Sequence, residues 1–144
     1  MFKVSRRADY ATRVLLVLAS QPQGSLLSAA ELSAQTDVPQ GFIHKIVQDL
    51  ARAGFVRTTA GVDGGASLSR RADSITLLDV FEAVEGSLCM NVCLIGPGAC
   101  PRDETCPVHP VWARVQELVR RELAAETLSA LAAQGQRLKA IRAS

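Results

Sequence analysis

The sequence is poor in aromatic residues, in net charge and in long apolar runs. Aromatic residues make up 4% of the 144 residues, and the formal net charge is +2. The longest unbroken apolar stretch runs from Val14 to Ala19, whereas a membrane-spanning helix needs about 20 residues. The residues from Met1 to Arg6 also lack the pattern of a secretion signal. We therefore expect a soluble, cytoplasmic protein with no membrane partner.

Histidine is also scarce, and this argues against an enzyme. His44 and His109 are the two histidines of the chain, so few side chains are suited to act as a base near neutral pH. No Ser-His-Asp order is evident, and the glycines at 61, 64 and 65 lack the lysine of a phosphate-binding loop. We expect no catalytic residues.

The composition is that of one globular domain. Hydrophobic residues make up 48% and charged residues 21% of the chain, and a domain usually has about 100–200 residues. Residues 1–75 contain nine basic and six acidic side chains, and residues 76–144 contain seven and eight. The first part, with an excess of three positive charges, is therefore the better candidate for binding an anion.

Apolar spacing and helix caps predict a helix-turn-helix in the first part. The apolar positions predict a helix over 5–19. Ser28 opens a Ser-x-x-Glu capping box, which predicts a short helix over 29–34. A third helix is predicted over 39–53, with proline at its first position and Phe42 on its apolar face. Two short helices joined by a four-residue turn are typical of a helix-turn-helix.

A hairpin and a fourth helix are predicted next. Residues 55–59 and 66–69 have the composition of strands, and a glycine-rich turn joins them. A second capping box at Thr76 opens a helix that is predicted to end at Gly86. The hairpin after a helix-turn-helix is predicted to be a wing.

The second part contains an irregular segment followed by helices. Residues 87–107 hold all four cysteines and are unusually long for a structureless loop. A long amphipathic helix is predicted over 107–125, and its apolar stripe suits burial against a second copy. A short last helix is predicted over 127–133, ended by Gly135, and residues 136–144 are expected to fray.

These elements predict a mainly α fold with a small β-hairpin wing. The architecture is a winged helix-turn-helix followed by a long C-terminal dimerisation helix. The predicted units are a DNA-binding domain over 1–86, a cysteine-rich segment over 87–107, helices over 108–135 and a tail over 136–144.

Several residues are placed to contact double-stranded DNA, because the second helix of a helix-turn-helix enters the major groove. The candidate base contacts share the outward side of that helix: Gln40, Gly41, His44, Lys45 and Gln48. The candidate phosphate contacts are Arg6, Arg7 and Arg57, with Arg13, Arg70 and Arg71. Each residue alone also suits a solvated surface, but a helix-turn-helix followed by a glycine-tipped hairpin favours DNA.

The four cysteines lie at positions 89, 93, 100 and 106. In a chain without an export signal, such a cluster favours metal or redox chemistry over a disulfide framework. Cys106 precedes a predicted helix start, where the helix dipole favours a thiolate, and His109 follows on the same face. Three cysteines and a histidine also suit a tetrahedral zinc site. A thiol-disulfide switch is the third alternative.

Short motifs in a specific order carry a resemblance to a known family. They are Arg7-Ala8-Asp9-Tyr10-Ala11, Gly54-Phe55-Val56, Gly64-Gly65, Phe81-Glu82-Ala83-Val84-Glu85-Gly86 and the cysteine segment. Over residues 2–135 the chain resembles the winged-helix transcription regulators of the Rrf2 family, which includes IscR, NsrR and RirA. The wing departs from the family pattern, because Thr59-Ala60-Gly61-Val62-Asp63 has no arginine at its start.

The resemblance implies an iron-sulfur cluster, either 2Fe-2S or 4Fe-4S, bound by Cys93, Cys100 and Cys106. It implies His109 as the fourth ligand by similarity to IscR-like members, or Asp9 of the partner subunit by similarity to NsrR-like members. Cys89 is left as a spare thiol, a substitute ligand or a disulfide partner.

The leading hypothesis is a homodimeric transcription regulator, such as a repressor, that binds a palindromic operator. Its cluster would sense nitric oxide, redox state or iron supply. A structural zinc or a thiol-disulfide switch in place of the cluster is the alternative. A redox thiol protein that does not bind DNA is the alternative from another class.

Overall fold

The computed structural model describes residues 3–144, so Met1 and Phe2 of the predicted 1–86 unit lie outside the described residues. Within this range the chain forms α1 (Arg6–Ala19), α2 (Ala29–Thr36), α3 (Gln40–Arg52), β1 (Val56–Thr59), β2 (Gly65–Leu68), α4 (Leu77–Glu85), α5 (His109–Ala125) and α6 (Leu128–Ala143). Two short 3-10 helices, Ala72–Ser74 and Val92–Leu94, lie between these elements. The fold is mainly helical with one small hairpin, as the sequence predicts.

Side-chain caps determine where four of the described helices begin. The hydroxyl of Thr127 accepts a hydrogen bond from the Ala130 amide and caps α6. The hydroxyl of Ser5 accepts a hydrogen bond from the Ala8 amide and caps α1. Both predicted capping boxes form, at Ser28 for α2 and at Thr76 for α4. In each, the side chain and backbone of the capping residue bond to an acidic residue three positions on, which satisfies amides that a helix leaves unpaired.

The core lies between α1, α2, α3, α4, the hairpin and the start of α6. Its largest fully buried side chains are Leu15, Leu32, Ile43, Leu50, Ile75, Leu128, Val14, Val38 and Val80. The turn between α5 and α6 is fixed to the start of α4 by two backbone bonds. The Leu128 amide donates to the Ile75 carbonyl at 2.9 Å, and the Leu77 amide donates to the Glu126 carbonyl at 2.8 Å.

The hairpin is attached to the helical body. β1 and β2 pair antiparallel, from Val56 opposite Leu68 to Thr59 opposite Gly65. Ala66 also exchanges backbone hydrogen bonds with Leu27, at 2.8 and 3.0 Å. The second strand of the hairpin is therefore held to the segment before α2.

The predicted end of the last helix was wrong. α6 does not stop before Gly135 but continues to Ala143, so residues 136–143 are helical instead of frayed. A glycine inside a helix costs about 1 kcal/mol relative to alanine. The neighbouring alanine, glutamine, leucine, arginine and lysine residues favour helix and offset that cost.

The predicted placement of Phe42 on the apolar face of α3 was also wrong. The buried stripe of α3 contains Ile43, Ile46 and Leu50, and Phe42 lies one position outside it with 48% exposure. Its ring packs edge-on against Tyr10 of α1, with centroids 5.7 Å apart. The predicted ends of three other helices differ slightly from those observed. α2 extends to 36, α3 begins after the proline, and α5 begins at 109.

α5 contributes no buried residue to this single chain. Its apolar side chains Val111 and Leu118 are 41% and 52% exposed. A salt bridge between Arg120 of α5 and Glu82 of α4 links the helix to the body. Across residues 3–144, none of the helices has the length and apolar character needed to cross a membrane.

Candidate functional site

The outward face of α3 carries the five candidate base contacts. Gln40, Gly41, His44, Lys45 and Gln48 are all exposed, while the opposite face is buried against α1 and α2. A Cβ added to Gly41 would meet no atom within 4 Å. The glycine is therefore not required by packing inside the chain, and it leaves room for a partner to approach the backbone.

The predicted phosphate contacts differ in what surrounds them. Arg6 is exposed and lies beside Lys3 at the N-terminal end of α1, and Arg57 is exposed on β1. Arg7 instead donates from Nε and Nη2 to Oδ2 of Asp49, at 3.1 and 2.9 Å. The Asp49 side chain is only 6% exposed, so this ion pair ties α1 to α3.

Sequence reasoning missed Asp49. It lies on the otherwise apolar stripe of α3, three residues after Ile46, where a carboxylate is out of place unless it is paired. An acidic residue on a buried helix face was the signal available. Its partner lies 42 residues away in the sequence and is not indicated by any local pattern.

Three cysteines and a histidine line one cavity of about 360 Å³. Cys93 lies in the short 3-10 helix, Cys100 in the following turn, Cys106 just before α5 and His109 at its first residue. The structure thus brings together the four side chains predicted as ligands, with Asp103 on the same lining.

The thiols in this cavity influence one another electrostatically. Burial raises the pKa of the Cys93 thiol, and the neighbouring Cys100 and Cys106 raise it further because negative charges on adjacent sulfurs repel. A cation bound between these sulfurs would remove that repulsion.

His109 supplies a second indication of a ligand. Its Nδ1 atom is buried and has no hydrogen-bond partner among the described residues. A buried polar atom without a partner is costly, and imidazole nitrogen together with thiolate sulfur is a donor set that suits iron or zinc. The donor types at this cavity therefore fit either metal centre.

The side chains that line the cavity do not stand in a coordinating arrangement. Within residues 3–144, no group of three or more His, Cys, Asp or Glu side chains stands in a metal-ligating arrangement. The cavity nevertheless brings three thiols and the imidazole of His109 onto one lining.

Asp9 and Cys89, the other ligand candidates, lie outside this cavity. The Asp9 carboxylate forms a 2.8 Å salt bridge with Arg13 of α1. Cys89 is exposed, and its thiol donates to the Asn91 carbonyl at 3.1 Å. All four cysteines are free thiols.

The cysteine segment is connected to both neighbouring helices. Glu82 of α4 accepts a hydrogen bond from the Leu88 amide and also pairs with Arg120 of α5. The Met90 amide donates to the Gln116 side chain of α5 at 2.9 Å. These contacts, which the sequence did not reveal, link the cysteine segment to α4 and α5.

Sequence comparisons agree with the predicted class. The family model described as Rrf2, iron-dependent transcriptional regulator, matches residues 4–134. A Mycobacterium tuberculosis protein named as an HTH-type transcriptional regulator is 30% identical over 131 residues. The match covers 90% of this chain and 81% of that protein.

Solved structures share the fold. CymR, the global cysteine regulator of B. subtilis, matches with a TM-score of 0.78 and 24% identity, covering 93% of this chain and 98% of that one. T. potens IscR matches with a TM-score of 0.75 and 21% identity, covering 93% and 88%. The predicted winged-helix fold is thereby confirmed.

Proposed function

Since the chain belongs to the Rrf2 family of transcription regulators, we propose that it binds a palindromic operator as a homodimer and holds an iron-sulfur cluster in its cysteine cavity. Regulators of this family are winged-helix proteins that bind DNA, typically as dimers, and are not enzymes. Because they act on the chromosome, the proposed place of action is the cytoplasm.

The proposed ligands are Cys93, Cys100, Cys106 and His109. The observation that carries this proposal is the buried, unpartnered Nδ1 of His109 in a cavity shared with three thiols. His109 is preferred to Asp9 of the partner subunit because Asp9 is already paired with Arg13. Held by these four side chains, a cluster would supply redox-active iron whose potential depends on its ligands and its exposure, and we propose nitric oxide, redox state or iron supply as its signal.

DNA binding is proposed through the exposed face of α3. In a symmetric dimer, two copies of this helix meet half-sites about one helical turn, ~34 Å, apart. The apolar stripe of α5, with Val111 and Leu118 exposed, is the proposed contact between the two copies. Through Glu82 and Gln116, a rearrangement of the cysteine segment would alter how α5 sits on the DNA-binding domain.

An anaerobic metal analysis tests the cofactor. We expect the purified chain, reconstituted where necessary, to absorb visible light and to contain iron and acid-labile sulfide together. Cys100→Ala is expected to lose all three signals. Cys89→Ala removes a thiol outside the cavity and serves as the matched control, which should retain them.

Two other results of the metal analysis would contradict an iron-sulfur cluster. Zinc without sulfide would mean a structural zinc held by the same donors. No metal after reconstitution would favour a thiol switch, a second candidate supported by the exposed Cys89 four residues before Cys93.

A DNA-binding assay tests the sensing role. We expect nitric oxide to change the operator affinity of the loaded protein and to leave that of Cys100→Ala unchanged. A response retained by Cys100→Ala would remove this cavity from sensing.

A further inference from the structure

The tip of the β1–β2 hairpin exposes an apolar side chain next to a carboxylate. Val62 has a relative exposure of 103%, and the neighbouring Asp63 is exposed as well. A single exposed apolar residue needs no explanation by itself. Two features distinguish Val62 from such a residue: the closed turn that carries it and the negative charge of the neighbouring Asp63.

The turn of the hairpin is closed by a backbone hydrogen bond and by close packing at two glycines. The Gly64 amide donates to the Gly61 carbonyl at 3.1 Å and closes the turn. A Cβ on Gly64 would stand 2.1 Å from the Thr59 carbonyl oxygen, and one on Gly65 would stand 2.5 Å from that of Leu27. Only glycine permits this packing, so Val62 is presented on a preorganised turn.

The hairpin is also positioned beside the proposed DNA-reading helix. β1 begins at Val56, four residues after α3 ends at Arg52. When α3 lies in the major groove, a hairpin joined to its C-terminal end lies close to the same duplex, so the adjacent minor groove is the DNA surface available to its tip.

The tip lacks a basic side chain. Asp63 is the one charged residue within 58–69. Arg57 precedes the tip on β1, while the Arg70 guanidinium stacks on the Phe55 ring at 5.4 Å and donates to the Ser74 carbonyl. Positive charge is therefore confined to the base of the wing.

We propose that this wing selects operators whose minor groove beside each half-site is wide, and rejects A-tracts there. A-tract minor grooves are narrow and carry an enhanced negative potential that attracts arginine and lysine. Asp63 is repelled by that potential, and Val62 packs against the sugar edges of a wider groove. The inference rests on the proposed DNA-binding function and names the class of DNA sequence that this protein prefers.

Selection from a random DNA pool, followed by binding measurements, tests the proposal. The full chain, as isolated and after anaerobic reconstitution, first selects its preferred duplexes. Two duplexes with the selected core are then compared, one flanked by A-tracts and one by mixed sequence rich in G·C pairs. We expect the wild type to prefer the mixed flanks on the order of threefold or more, the size of an exposed charge interaction.

Two variants and a matched control identify the side chain responsible. Asp63→Asn should reduce the preference for mixed flanks, and Asp63→Arg should reverse it. Val62→Thr, which keeps the shape and adds a hydroxyl, should weaken binding to the duplex with mixed flanks. Glu126→Gln removes the same charge at the α5–α6 turn and should leave the flank ratio unchanged.

The outcomes separate this inference from the proposed function. An enriched core bound equally with both flanks, or flank ratios that are the same in wild type and Asp63→Arg, would overturn the wing proposal alone. Failure of the wild type to enrich any sequence in either preparation would overturn DNA binding and the wing proposal together.

Discussion

At the residue scale, neighbouring arginines of α1 have different roles. Arg6 is exposed, whereas Arg7 pairs with the Asp49 carboxylate on the buried face of α3. This ion pair is partly accessible to solvent, because the Arg7 side chain retains 46% exposure. Arg7 therefore acts first as a link between two helices, and only the remaining part of its guanidinium faces solvent.

Arg7→Ala should destabilise the fold more than it weakens DNA binding. Loss of the guanidinium leaves a nearly buried carboxylate without its α1 partner, which typically costs about 1–3 kcal/mol. Urea denaturation measures the free energy of unfolding. Arg6→Ala is the adjacent control and should lower DNA affinity with little loss of stability; equal stability of the two variants would contradict the structural role of Arg7.

His44→Ala should weaken sequence preference. His44 is exposed in the second turn of α3, among the candidate base contacts, and loss of a base contact typically costs about 1–3 kcal/mol. Binding to a selected operator and to a random-sequence duplex should be measured side by side. Arg57→Ala, which removes an exposed candidate phosphate contact on β1, should weaken both to a similar extent. If His44→Ala also lowers the affinity for both duplexes to a similar extent, His44 contacts phosphate and does not read a base.

At the element scale, local signals predicted most boundaries. The capping boxes at Ser28 and Thr76 involve residues three positions apart, so the sequence alone contains all their partners. The outward face of α3 followed from its apolar period in the same way. The prediction that the last helix ends at Gly135 failed because strong helix formers on both sides of a glycine can outweigh its low helix propensity.

Long-range contacts were beyond sequence reasoning. Glu82 and Arg120 are 38 residues apart, and Met90 and Gln116 are 26 apart. No period or motif relates such positions. The gathering of Cys93, Cys100, Cys106 and His109 followed from chemistry and resemblance, whereas the orientation of His109 Nδ1 needed the structure.

Glu82→Gln should weaken communication between the cysteine segment and α5. The amide retains an acceptor for the Leu88 amide but cannot form the ion pair with Arg120. We expect the difference in operator affinity between loaded and metal-free protein to shrink, with a stability loss of only about 0.2–1 kcal/mol. Glu117→Gln, on the exposed side of α5, is the control. An undiminished difference in Glu82→Gln would exclude the ion pair as the link.

At the scale of the whole molecule, the exposed apolar face of α5 makes the single chain incomplete. None of its residues is buried in the chain, although it is the longest helix described. An amphipathic helix of this length normally buries its apolar stripe against something. A second copy of the chain is the proposed cover.

Leu118→Glu should therefore dissociate the dimer. A carboxylate at the centre of an apolar interface is left desolvated and unpaired. Sedimentation velocity should show the mass falling from twice 15.4 kDa to that of one chain. Leu138→Glu on α6 is the matched control, because Leu138 has 56% exposure against 52% for Leu118. Persistence of the dimer in Leu118→Glu would place the interface elsewhere.

The stretch between Val84 and Leu128 contributes no buried residue to the core of the single chain. Its C-terminal end is attached to the core, because the turn before α6 bonds to the start of α4. Exchange of the thiols that we propose as ligands for other groups therefore does not require repacking of the core. One scaffold can thus come to respond to different stimuli through mutation within a segment that contributes no buried residue to the core.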